Sequence, residues 1–158
     1  MVKKIFSLSN IFACATFLLA LVALILYAIN FNVNGYFQGV RANNLVLLFI
    51  LVMVFDLLII GRSFLKFEGI LEKVLDGVVW VLKVLVPLFL IIGTLKLIQS
   101  RIEGFGYIFF SNVDVAKEVA TPANLASAGV SITALVFGIL ATVVGIVGAF
   151  FLPKKEEE

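Results

Sequence analysis

The stretch DGVVWVLKVLVPLFLIIGTLKLIQSR, residues 76–101, decides the fold class. A helix of about 20 mostly apolar residues crosses the roughly 30 Å hydrocarbon core of a bilayer, and the part from 78 to 98 meets that requirement while carrying two lysines, Lys83 and Lys96. Runs of the same kind recur at 10–29, 44–60 and 129–152. Hydrophobic residues make up 63% of the 158 and charged residues 14%, with a mean hydropathy of +1.20. Soluble domains are about half apolar and a quarter charged, so the composition is that of an integral membrane protein. The four runs occupy most of the chain. They predict an all-α protein, a four-transmembrane-helix bundle that forms a single domain over 1–158.

The same composition narrows the chemistry. Histidine is absent, which removes the usual imidazole for haem or zinc ligation and for proton relays near neutral pH. A lone cysteine, Cys14, excludes an intrachain disulfide and reads as a small buried packing residue. No phosphate-binding loop, dinucleotide fingerprint, metal-ligand cluster or nucleophile–base pair is present. These absences predict a non-enzymatic protein without cofactor or metal. The net charge is only +2 and the basic residues are spread among the loops, which gives nucleic-acid binding no support. The partners to expect are membrane lipid and either other membrane-protein subunits or further copies of the chain.

Lysine and arginine set the expected topology. MVKK followed by an apolar run that continues to Ile29 reads as an uncleaved first span, longer than a signal-peptide core. Lys3, Lys4, Arg62, Lys66, Lys73, Lys154 and Lys155 fall on one side of the membrane and Arg41, Arg101 and Lys117 on the other. The positive-inside rule then predicts a multi-pass protein of the cell membrane with both termini cytoplasmic. The chain has the general look of the small four-span proteins of bacterial membranes, and no motif singles out a family.

The intramembrane charges are the candidate site. A charge at the bilayer centre costs at least about 2.5–3.5 kcal/mol on insertion scales. Lys96 lies close enough to Arg101 to snorkel to the outer interface. Lys83 and Asp56 lie deeper, six residues beyond Gly77 and six before Arg62. On antiparallel helices they fall at similar depth, which predicts an Asp56–Lys83 ion pair. That pair reads as a register lock between two helices, as two side chains snorkelling separately, or as an ion or proton site. Pro87 and Gly93 interrupt the third span and shape its packing.

The most regular signal is on the fourth span, where Ser127, Ser131, Ala134, Gly138, Ala141, Gly145 and Gly148 recur at alternating spacings of 4 and 3. Small residues allow helices in lipid to approach closely, and the 3.5-residue period predicts a left-handed crossing. A matching stripe of Ala13, Thr16, Ala20 and Ala23 on the first span makes these two the expected tightest pair, with the large-residue second span at the periphery. Docking of the seam onto a partner is the other reading. Thr121 and Pro122 are suited to start this helix as early as 122, extending it outward.

Between the second and third spans, Phe64, Phe67, Leu71, Val74 and Val78 sit at helical spacing among charges, which predicts an amphipathic elbow at the cytoplasmic interface. Outside, the Asn34-Gly35 turn signal of the first loop and EGFGYIFFSNVDV in the third predict a small extracellular β element. Together these features lead to an accessory, anchoring or assembly subunit of a larger membrane complex. The alternative is a small, homo-oligomeric transporter or channel that uses Asp56 and Lys83.

Overall fold

The computed structural model describes residues 7–65 and 68–151. Lys3, Lys4, Lys66, Phe67, Leu152, Lys154 and Lys155 lie outside the described residues. Among the described residues five helices follow one another: α1 (Leu8–Asn32), α2 (Leu45–Arg62), α3 (Ile70–Phe110), the short α4 (Val113–Val119) and α5 (Pro122–Ala149). All but α4 are long and apolar enough to cross a membrane. Their starts have local causes. The Ser7 hydroxyl accepts from the Asn10 amide at 3.3 Å, Asn112 caps α4 through Val115, and Thr121 caps α5 just before Pro122, each satisfying a donor that a first turn leaves free. Ahead of α2, Asn44 takes the left-handed conformation with φ 62°, which asparagine tolerates better than most residues.

One periodicity governs all four long helices. The buried positions include Ser9, Ala13, Thr16, Ala20, Ala23, Tyr27 and Asn30 on α1, where Asn10 is buried beside Ser9, and are Leu45, Phe49, Val52, Asp56 and Ile59 on α2. On α3 they include Lys83, Pro87, Leu90, Thr94, Leu97, Arg101, Gly104 and Ile108, and on α5 Ser127, Ser131, Ala134, Gly138, Ala141 and Gly145. Each set alternates steps of 4 and 3, the pattern that keeps one seam facing its partners through a left-handed supercoil. The helices form a ring in which α1 packs on α2 and α5, and α3 packs on the same two. Helices α1 and α5 share the most extensive interface. Because lipid tails are as apolar as leucine, what holds such a bundle is close packing and interhelical hydrogen bonding.

Several expectations change. Among the described residues there is no strand. EGFGYIFF continues α3, which at 41 residues is about 60 Å long. Helix period wins there because Gly104 and Ile108 extend the buried seam upstream of them, so the segment buries one face without leaving the helix. The segment expected as an elbow is divided: Ser63 and Phe64 make a turn after α2, and from Ile70 onward the chain is already α3. The turn in the first loop closes around Tyr36-Phe37 and not around Asn34-Gly35, with the Gln38 amide donating to the Gly35 carbonyl at 3.0 Å. Helix α2 shares faces with both α1 and α3 and buries Phe49 and Val52 fully. Cys14 is exposed on the outer face of α1.

The first loop folds onto the ends of α3 and α5, where Phe37, Ile108 and Ala128 form a second small core. Two glycines permit this. A Cβ on Gly104 would overlap the Phe37 ring, and one on Gly35 would sit 2.5 Å from the Ser127 Cβ. In the middle of the bundle Gly93 faces Phe49, whose ring lies 2.7 Å from where a Cβ would be. Gly93→Leu is expected to lower stability by about 1–3 kcal/mol through overpacking. Gly106→Leu, with no atom within 4 Å, is expected to leave stability unchanged or slightly raised, because leucine is the better helix former. Thermal unfolding of the two variants in detergent micelles makes the comparison.

Candidate functional site

Arg62, at the end of α2, and Asp76, two turns into α3, form an ion pair of 2.8 Å. This bridge joins the two helices near the end of the bundle where the described chain both begins and finishes. Counting inward from it, Asp56 is six residues up α2 and Lys83 seven residues up α3, about 9 and 10 Å at 1.5 Å per residue. The expected equality of depth therefore holds. Both side chains are buried, Asp56 at 1% and Lys83 at 5% exposure.

The two residues reach one cavity, but no direct ion pair links them among the described residues. The Lys83 ammonium donates instead to Ser9 Oγ at 2.7 Å and to the Phe151 carbonyl. The reason lies in helix direction. Side chains tilt toward the N-terminus of their own helix, so on antiparallel helices at equal depth Lys83 leans toward the chain-terminal end and Asp56 leans toward the middle. Lys83 thus meets the start of α1 and the residues after α5, where carbonyls left free at a helix C-terminus favour a cation. Asp56 Oδ2 is left buried and, among the described residues, without a hydrogen-bond partner.

Between them is a cavity of about 20 Å³, room for about one water. All four long helices line it: Ser9 and Thr16 from α1, Asp56 from α2, Lys83 from α3, and Gly145 and Gly148 from α5. The Thr16 hydroxyl donates to the Phe12 carbonyl at 2.9 Å. Ser63 Oγ donates to Asn10 Oδ1 at 2.9 Å, tying the end of α2 to the start of α1. Glycine is required where α5 meets this end, since a Cβ on Gly148 would come within 2.9 Å of the Phe12 Cβ.

A second polar centre occupies the loop end. Asn30 Nδ2 donates to the Ser127 carbonyl at 3.0 Å and to Ser131 Oγ, and its Oδ1 accepts from Ser127 Oγ at 2.6 Å. The first two members of the α5 seam are therefore hydrogen-bonding residues, while Ala134, Gly138, Ala141 and Gly145 are buried packing positions. Gly148 is half-buried.

Arg101, which the sequence places in a loop, is fully buried in α3. Its guanidinium carbon lies 4.7 Å from the Phe37 ring centre and 5.3 Å from that of Tyr27, and Nη1 donates to the Val40 carbonyl at 3.3 Å. Tyr27 in turn accepts from the Ala42 amide at 2.9 Å. The arginine thus fastens the first loop to α1 and α3 through aromatic faces, an attraction that strengthens when the cation is desolvated. Extending the 4-and-3 spacing from Lys83 through Leu90 and Leu97 lands on Arg101, a signal in the sequence that identifies it as an inward residue. Lys83 and Arg101 are 18 residues apart on one face of α3, about 27 Å along the axis, close to the thickness of the hydrocarbon core.

No protein-family model, curated protein or solved structure matches the chain. Asn30→Ala is expected to lower stability by about 2 kcal/mol, since three interhelical bonds are lost at roughly 0.6 kcal/mol each in a membrane interior. Ser131→Ala, which removes one of them, is expected to cost about a third as much. Denaturant titration of the two variants in mixed micelles reads the difference.

Proposed function

We propose that this chain is a non-enzymatic accessory, anchoring or assembly subunit of a larger membrane complex, with both termini on the cytoplasmic side. The observation that carries the reading is the exposed apolar surface where α3 outruns its apolar span. Ile102, Phe109 and Phe110 share one face of α3 beyond Arg101, and Ile102 and Phe110 are 65% and 85% exposed. Val113, at the start of α4, continues this surface at 71% exposure. The face begins past the run 78–98, which by itself spans the hydrocarbon core. Contiguous apolar surface outside the lipid tails marks a contact site. The small-residue seam of α5 lies against α1 and α3 within the chain, so the surface left for a different subunit is this aromatic end and the lipid-facing sides.

A second reading, a small transporter or channel, draws support from the cavity that Asp56 and Lys83 share. Against it, that cavity has room for about one water, and the seam toward the loop end is filled by Phe49, Leu90 and Leu97, all buried.

Extraction in native lipid followed by mass spectrometry of the intact assembly separates the two. A stoichiometric complex with a different chain, lost in the double variant Phe110→Ser, Val113→Ser while the bundle still folds, is the expected result. A strictly monomeric protein that carries no other chain under gentle extraction would sink the proposal, and a homo-oligomer would shift weight to the transporter reading.

A further inference from the structure

The terminal-end cavity brings a buried acid and a buried base to one small space without letting them touch. An ammonium has three donors. Lys83 uses two of its own on Ser9 Oγ and the Phe151 carbonyl. Across the cavity, Asp56 Oδ2 is buried and has no partner among the described residues. One donor and one acceptor therefore face a space with room for about one water.

We propose that Asp56 and Lys83 form a proton-binding site in which a single water carries a proton between the Lys83 ammonium and the Asp56 carboxylate. In one state the pair is ammonium and carboxylate. In the other, a Lys83 N–H bond breaks as its proton passes to the water, and a proton of that water forms the O–H bond of an Asp56 carboxylic acid, which leaves a neutral amine. Atoms and total charge are the same in both states. Burial favours the neutral form because two desolvated ions held apart lose more hydration than their attraction returns. The hydrogen bonds from Lys83 to Ser9 and Phe151 favour the charged form. The bundle thus places opposing influences on one proton.

Among the described residues, the cavity lining holds no titrating group besides these two. From α1 the cavity is faced by the hydroxyls of Ser9 and Thr16, and from α5 by Gly145, Gly148 and Ala149, with no ionisable side chain among them. On α2 and α3 the next charged groups toward the chain ends are Arg62 and Asp76, joined to each other. Asp56 and Lys83 therefore titrate as a pair, with macroscopic steps that belong to both. The proposal stands independently of any partner subunit, because it concerns only side chains within the bundle.

The test uses the full chain in lipid nanodiscs, with aspartate labelled at the carboxyl carbon and lysine at Nζ. The chain has three aspartates, Asp56, Asp76 and Asp114, so the signal that disappears in Asp56→Asn is assigned to Asp56 without disturbing the Arg62–Asp76 bridge in the protein under test. The expected result is that, at neutral pH, the Asp56 carboxyl and Lys83 Nζ resonances both lie between their charged and neutral limits and move together with temperature, since the two states hold the same protons and pH does not interconvert them. Exchange in deuterated water should alter both, and Lys83→Met should abolish the joint movement while the Asp56 signal persists. An Asp56 carboxylate and a Lys83 ammonium that both stay at their fully charged limits at every temperature would overturn the proposal and leave a static water-bridged pair. Movement of one resonance without the other would overturn it as well.

Discussion

The close approach of α1 and α5 is the constraint on which both ends of the bundle depend. Thr16, Ala20 and Ala23 on one helix and Ala134, Gly138 and Ala141 on the other are small and buried, so the two backbones come near enough for short side chains to bridge them. At the loop end, that distance lets one asparagine amide engage both Ser127 and Ser131. Toward the chain termini, it brings Ser9 and the residues after α5 to the same ammonium. A single large side chain in the seam would separate both polar centres at once, because the helices move as rigid rods and packed interiors do not deform continuously.

Helix α3 carries the electrostatics on that frame. Its inner face presents Lys83 toward the chain-terminal end and Arg101 toward the loop end, and the two cations are stabilised differently. The lysine is a compact point charge that accepts oxygen ligands from any direction, and it receives a hydroxyl and a helix-end carbonyl. The guanidinium is flat and more weakly hydrated, and it is covered by Phe37 and Tyr27 with one carbonyl at Nη1. Arg101 Nε and Nη2 are buried without hydrogen-bond partners among the described residues, so the aromatic rings compensate a cost that burial of unpaired donors would otherwise impose. The loop that supplies Phe37 and Val40 is therefore part of the electrostatic design of the bundle, and its turn is placed by two glycines that admit close contact.

Much of the fold was legible because lipid restricts the alternatives. Each backbone donor in the hydrocarbon must be satisfied within its own segment, which leaves helices for runs of this length. Period-3.5 spacing on the fourth run then indicated its buried face, and the charges at Asp56 and Lys83 indicated matching depth. Two of the misreadings share one cause. Aromatic and β-branched residues in EGFGYIFFSNVDV suit a strand by local propensity, but Gly104 and Ile108 stand in the α3 seam and tertiary contacts with Phe37 override that preference. Arg101 looked like a loop cation for the same reason: a helix boundary was assumed where hydropathy fell.

Sequence alone determined that this chain is a multi-pass helical membrane protein, where its apolar runs lie, and which small residues make a seam, since these follow from length, hydropathy and period. Only the tertiary structure decided what the polar residues touch. Asp56 and Lys83 share a depth by residue count, yet opposite helix directions lean their side chains apart, and the oxygens that hold the ammonium come from positions 74 and 68 residues distant in the chain. Such distances are set by which helices become neighbours around the ring, a property of packing in three dimensions that no local stretch encodes.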